Sequence, residues 1–343
     1  MSIQRIATLK GHKGGVTALS AGWDSRSHLL ISGSDDGTVR LWDLRTNRTV
    51  QAIGGFSIDE DSGITGAVFT GDHGLAVSCG RFIRVYDQRA LKLVNKAHTD
   101  ALASIDNGSD VQGLSARGDF VAHVDEEGMV GTFDSSESNP AIERIRGNHD
   151  ALSSCVCISP SLPELATGGF DQRVLIWDME KEILVREVDA GAVSGLSQPN
   201  EGNATNQKEQ QLINPPFVYS LDYWNVEQDS GTRILVSGHA DGSLMSICGD
   251  SEHFWTKCHD YSISALQFVR SKPECLVTAG LDRIIKVWDS ESVLFPDSIS
   301  ATEDLKALDY FVLSAKADAI ASSAIIPHIF TDSQSDIMVL TLE

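Results

Sequence analysis

Basic residues are scarce in this 343-residue sequence: 27 Lys and Arg stand against 48 Asp and Glu, a formal net charge of −21. Nonspecific nucleic-acid binding depends on cations that neutralise phosphates, so this balance argues against it. An anionic membrane surface is disfavoured for the same reason. A basic partner, or an acidic face that steers one, fits the charge better. Also missing is any uncharged apolar run long enough to span a bilayer. No apolar segment follows Met1-Ser2-Ile3-Gln4-Arg5, so a secretory signal is not expected. Cysteine is sparse, and Cys79, Cys155, Cys157, Cys248, Cys258 and Cys275 are scattered, mostly inside strand-like segments. That placement suits buried free thiols in a reducing compartment, and hence an intracellular protein of the nucleus or cytoplasm. Cys155 and Cys157 would share one face of a strand, yet no second pair at zinc spacing accompanies them. No metal and no cofactor is expected.

What is present is a repeat. The clearest copy opens with Gly11-His12, continues through Val16-Thr17-Ala18-Leu19 and Leu29-Leu30-Ile31-Ser32, and ends Asp36-Gly37-Thr38-Val39-Arg40-Leu41-Trp42-Asp43. It reads as strand, turn, strand, Asp-Gly turn, strand. Two further copies keep the same landmarks, one from His149 to Trp177-Asp178 and one from His259 to Trp288-Asp289. Three degenerate copies fill the gaps, with Tyr86-Asp87 and Phe133-Asp134 at two of the endings and Asp241-Gly242 marking the third. Six units result. The C-terminal segment then supplies three strand-like runs lacking a fourth, and residues 3–9 supply one unclaimed strand. Joining these ends predicts a seventh blade and removes sheet edges that would invite aggregation.

A Gly-His to Trp-Asp unit of about 40 residues resembles the WD40 family, in which each unit is one four-stranded propeller blade. The resemblance implies an all-β, seven-bladed propeller closed by an N-terminal strand in the last blade, with residues 1–343 as one domain. A polar loop is expected at 198–211 between blades four and five, and a polar linker at 290–304 before the last blade. The family pattern also implies an internal polar network. His12, Ser32, Asp36 and Trp42 match it, as do His149, Thr167, Asp171 and Trp177, and His259, Thr278, Asp282 and Trp288. A His, a hydroxyl and an Asp together resemble a catalytic triad. Recurring once per well-formed blade at fixed spacing, they read as structure, and no enzyme is expected.

Function in such a fold lies in loops and rims. The second copy has a short Ser78-Cys79-Gly80-Arg81 turn and loses its network Asp; the third keeps His98 but has Phe133 at the Trp place. Whether these are decay or shaped rim features stays open. Arg45 follows Trp42-Asp43-Leu44, and Arg89 follows Tyr86-Asp87-Gln88, so both are expected on one end of the propeller, one blade apart. Arginine's rigid fork suits interface carboxylates. These endings resemble the motif of cullin-4 ubiquitin ligase receptors, which implies docking of Arg45, Arg89, Asp43 and Asp87 on the damaged-DNA-binding protein 1 adaptor. The short second-blade turn, the Val85-Tyr86-Asp87-Gln88-Arg89 run and Ser237-Gly238-His239-Ala240-Asp241-Gly242 resemble WD-repeat protein 53-like proteins. That likeness implies a substrate receptor, monomeric alone, with an unknown client. A general scaffold subunit and a channel-binding peptide reader are the alternatives; for the latter no aromatic cage is visible in the sequence.

Overall fold

The second strand of each repeat is buried throughout or at all but its first residue, and its surroundings explain why. Leu29–Ser34, Ile234–His239 and Cys275–Gly280 are buried at every residue, because neighbouring sheets cover both of their faces. A strand covered on both sides has no polar face to alternate with. These sheets belong to a computed structural model that describes residues 2–56, 63–193, 215–224, 233–294, 305, 307–313, 319–322, 328–333 and 335–342. The expected loop at 198–211 lies outside the described residues. So does most of the expected linker, whose first residues form a short helix, Ser290–Leu294.

Six blades follow chain order around the axis, each given from its innermost strand outward. Blade one is Val16–Ala21, Leu29–Ser34, Val39–Asp43 and Arg48–Gly54, and blade two is Ile64–Thr70, Gly74–Cys79, Phe82–Asp87 and Ala103–Asp106. Blade three is Val111–Arg117, Phe120–Asp125, Met129–Asp134 and Glu143–Asn148. Blade four is Ser153–Ile158, Glu164–Gly169, Arg173–Asp178 and Ile183–Asp189. Blade five is Val218–Tyr223, Ile234–His239, Leu244–Cys248 and Ser251–Trp255, and blade six is Ile263–Phe268, Cys275–Gly280, Ile284–Asp289 and Asp309–Val312. A closing sheet stands between blades six and one. It pairs Ile3–Lys10 with Asp336–Leu342, which pairs with His328–Ser333 and then with Ile320–Ser322.

This corrects the expectation of a seven-bladed propeller closed by an N-terminal strand in the last blade. Among the described residues six repeats form blades, and the closing sheet is a splice of the two chain ends, not another repeat. Its innermost strand has three residues, and it carries no Gly-His to Trp-Asp pattern. Blade one departs as well: Val94–Lys96 adds in parallel to its outer strand and makes that sheet five-stranded.

Apolar clusters between adjacent sheets hold the ring. Ile31, Leu41 and Ile53 meet Phe69, Val77 and Tyr86 between blades one and two. Leu9, Ile337 and Val339 of the closing sheet meet Val16, Leu30 and Trp42, while Leu340 and Leu342 pack on Val277 and Val287 of blade six. Each such side chain contributes about 1.5–3 kcal/mol on leaving water. Every one of the six inner strands slips register after its first residue, at Thr17, Thr65, Gln112, Ser154, Tyr219 and Ser264. A bulge turns the extra residue out of the ladder. The Thr17 hydroxyl then donates to the Ile64 carbonyl, and the Ser154 hydroxyl to that of Val218, so each ties its blade to the next.

Candidate functional site

Three blades carry the same buried chain of polar groups. In blade one the Trp42 indole N–H donates to Ser32 Oγ at 2.8 Å, His12 Nε2 lies 2.8 Å from that oxygen, and His12 Nδ1 lies 3.2 Å from Asp36 Oδ2. Blade four repeats it with Trp177 to Thr167 at 3.0 Å, Thr167 to His149 at 2.9 Å and His149 to Asp171 at 2.9 Å. Blade six has Trp288 to Thr278 at 2.8 Å, Thr278 to His259 at 2.7 Å and His259 to Asp282 at 2.8 Å. One tautomer satisfies every member: the hydroxyl gives its proton to Nε2, and Nδ1–H donates to the carboxylate. Burial holds His12 below the usual imidazole range, against the pull of Asp36. Burial works to raise the Asp36 carboxyl, yet bonds from Thr38 and the Lys13 N–H, with His12 facing it, leave it lowered. The three hydroxyls are wholly buried. No substrate reaches them, so the triad-like set braces each turn and performs no chemistry.

The remaining blades solve the same problem with other residues. In blade three Asn107 occupies the place of the loop histidine, and His123 occupies the hydroxyl place. His123 Nε2 lies 2.9 Å from Asn107 Oδ1, whose amide donates to Asp125 at 2.9 Å. Sequence spacing gives that role to His98, but His98 faces Arg84 of blade two at 3.4 Å. Burial pushes His123 down to about 4. In blade five His239 bonds Ser237 at 2.9 Å and the Pro216 carbonyl at 3.1 Å. In blade two Tyr86 sends its hydroxyl to the Ala97 carbonyl at 2.8 Å. Nothing in the repeat spacing marks Asn107 or His239; only the sheet register does.

Arg45 and Arg89 sit in equivalent turns of adjacent blades, and their forks are closed. Arg45 Nε donates to Asp43 Oδ1 at 3.0 Å and its Nη2 to Oδ2 at 2.6 Å; Arg89 treats Asp87 identically at 3.0 and 2.8 Å. The Arg45 fork holds the Asp43 carboxyl down at about 2. Both arginine side chains are about two-thirds exposed, at 67% and 66%. Lys181 makes the corresponding contact with Asp178 in blade four.

The opposite end carries a feature that sequence reading misses. The Phe170 and Phe217 rings stack with centroids 5.2 Å apart, and Tyr219 meets Phe170 edge-on at 5.3 Å. These residues come from a turn of blade four, the approach to blade five and the blade-five bulge. At the same end of blade six, Tyr261 is 65% exposed and Leu281 39% exposed. Tyr219 also lines the adjoining channel mouth with Thr17, Thr65, Ser154 and Ser264. Leu19, Leu114, Val156, Leu221, Leu266 and Ile320 line both this mouth and a second chamber of ≈ 720 Å³ toward the arginine end, so they pinch the axis between them. On the wall of that chamber Asp222 accepts the Phe268 N–H at 2.8 Å and lies 3.5 Å from Cys157 Sγ, tying three blades. Burial pushes its carboxyl up to about 6. Burial likewise raises the Cys155 thiol to about 12, which leaves it protonated and a poor metal ligand. Among the described residues no group of three or more His, Cys, Asp or Glu is placed to hold a metal, and no helix is long and apolar enough to cross a membrane.

Fold and network together define a WD40 β-propeller, a protein-interaction platform. The family pattern described as "WD domain, G-beta repeat" matches residues 3–43, 142–178 and 250–289, the stretches ending in the three complete networks, and these three are WD40 repeats. The chain is similar to a WD repeat-containing protein 53 homolog of Dictyostelium discoideum, 25% identical over 295 residues, covering 82% of this chain and 77% of that relative. A ribosome biogenesis protein YTM1 of Yarrowia lipolytica is 43% identical over 60 residues, 18% of this chain and 12% of that protein. Cilia- and flagella-associated protein 52 of Bos taurus is 22% identical over 241 residues, 63% of this chain and 36% of that protein.

Proposed function

We propose that this propeller is a non-catalytic scaffold that holds a partner protein on the end formed by blades four to six. The observation that carries this reading is the aromatic cluster of Phe170, Phe217 and Tyr219, with Tyr261 and Leu281 exposed at the same end of blade six. Aromatic anchors dominate binding energy at interfaces, whereas scattered single apolar residues do not. Asp150 and Asp260 are exposed at the same end, which selects a partner with basic residues around an apolar centre. The test is purification of the tagged chain and of Tyr261→Ala, Leu281→Ser from the native cell. Stoichiometric partners held by the first and lost by the second support the reading. Retention of every partner by the variant defeats it.

The second reading is docking on the cullin-4 adaptor, damaged-DNA-binding protein 1, through the other end. Its support is the matched pair of exposed Asp–Arg forks on neighbouring blades and the likeness to the WD repeat-containing protein 53 homolog. Against it stands the closure of both forks on their own aspartates, which leaves fewer donors for a partner carboxylate. Arg45→Glu with Arg89→Glu abolishes adaptor binding if this reading holds and leaves it unchanged if it fails.

A further inference from the structure

The outer edges of blades one and four are built alike, yet among the described residues the first is covered by an added strand and the second is not. In blade one Val50 is the bulged residue of the outer strand. Gln51 then reaches across to the Gln88 and Leu91 carbonyls of blade two at 3.0 and 2.9 Å. Beyond it Ala52–Gly54 pairs in parallel with Val94–Lys96, and the Ala52 N–H donates to the Leu93 carbonyl at 2.9 Å. Blade four repeats each step. Val185 is the bulged residue, and Arg186 reaches the Gly249 and Asp250 carbonyls of blade five. Glu187, Val188 and Asp189 stand where Ala52, Ile53 and Gly54 stand. By that register the Glu187 N–H and carbonyl point outward, as those of Ala52 do.

The two edges diverge in what the neighbouring blade does next. The chain leaving the blade-two turn doubles back over blade one before forming its own outer strand. The chain leaving the blade-five turn at Gly249 runs directly into Ser251–Trp255. Among the described residues no strand pairs with the outer side of Ile183–Asp189. Ile183, Leu184 and Val185 are exposed there at 47%, 39% and 47%, where an edge strand ordinarily carries charge or proline to repel additions. The surrounding charge is acidic. Glu180, Glu182, Glu187 and Asp189 are exposed; Arg173 meets Glu187 at 3.1 Å, and Lys181 and Arg186 are engaged by Asp178 and Glu252.

We propose that the outer edge of blade four is an interaction site that takes an extended basic–apolar segment of a partner protein as an added parallel strand. Backbone bonds to Glu187 would supply the attachment, and the apolar strip with its acidic border would select the segment. The chain's own cover for blade one, Lys92-Leu93-Val94-Asn95-Lys96, has that chemistry.

A labelled synthetic peptide with the sequence of residues 90–98 serves as the probe, titrated into the full chain by fluorescence anisotropy. Saturable binding is expected, with slowed amide exchange at Glu187. Glu187→Pro removes an outward N–H that the ladder to Arg173–Asp178 does not use, a placement that edge strands tolerate. That variant, and separately Val185→Lys, is expected to weaken the peptide at least about tenfold while melting with the native form. No binding up to about 1 mM overturns the proposal. So does equal binding to both variants, or equal binding of a scrambled peptide of the same composition. Dimerisation of the chain that Val185→Lys abolishes would make a second copy the occupant, and this too overturns it.

Discussion

Blades one, four and six and blades two, three and five reach one shape by different bonding. The first group spends a tryptophan, a hydroxyl, a histidine and an aspartate on each turn, always in the same places. The second group replaces the tryptophan with Tyr86, Phe133 or Ile247 and then rebuilds or abandons the polar chain around it. Losing the indole donor lets the hydroxyl position become Val77 or His123, while blade five keeps a hydroxyl in Ser237; all three are buried. The apolar packing between sheets fixes the blade, and the network secures its turn. Regularity is therefore no measure of function: the aromatic end draws Phe170 from a regular blade and Phe217 and Tyr219 from a rebuilt one.

Several changes would break or sharpen that contrast. Trp177→Ala removes a fully buried side chain and its bond to Thr167, and is expected to cost about 3–5 kcal/mol in urea unfolding. Tyr86→Phe in blade two forfeits only the bond to Ala97, about 1 kcal/mol by the same measurement. Asp282→Ala leaves His259 Nδ1 and the Ile284 N–H unpaired, an expected loss of about 1–3 kcal/mol. No loss from Asp282→Ala would show that the network adds nothing beyond packing.

Acid distinguishes the blades further. His123 is held at about 4 by burial, below its unfolded value near 6.5. The unfolded chain therefore takes up more protons, and stability falls as pH drops through about 6.5 toward 4. His12 and His239, also lowered by burial, act in the same direction. Asp222 opposes them, because a carboxyl raised to about 6 takes its proton first in the folded state. Asp222→Asn is thus expected to raise the melting temperature at pH 7 and to steepen its fall toward pH 5. A fall no steeper than that of the native chain would remove Asp222 from the account.

The smallest effect is a backbone one. Blades three and five place Gly128 and Gly242 in the left-handed turn before the third strand, at φ +80° and +81°. A Cβ on Gly242 would lie 2.2 Å from the His259 carbonyl oxygen. Of the regular blades, four and six hold Gln172 and Arg283 at φ +67° in the same place, while blade one has Gly37 there. Gln172→Gly relieves a left-handed side chain but loosens the unfolded chain, for a net gain of about 0.5 kcal/mol or less. A loss above that size, by urea unfolding, would mean that the Gln172 side chain itself braces the turn.

The repeat units were legible because Trp-Asp endings and Asp-Gly turns are local in sequence, and each marks a strand end by its own chemistry. The exchange between Asn107 and His123 was not, since it reverses two roles across 16 residues and leaves His98 as a false match. The aromatic end was also hidden: Phe170 and Phe217 are 47 residues apart and meet only when blades four and five pack. Val94–Lys96 is too short to announce itself as a strand, and its partners Ala52–Gly54 lie 42 residues earlier. Arg45 and Arg89 were legible as a pair on one rim, but not the closure of their forks, which depends on the turn after each strand.

The central claim is that partners are held on the aromatic end of blades four to six. Crosslinking mass spectrometry of the complex purified from the native cell tests it most directly. Crosslinks from partner lysines to Asp150, Asp260 and their neighbours are expected. Crosslinks confined to the turns around Arg45 and Arg89 would contradict the account and transfer the working surface to the opposite end.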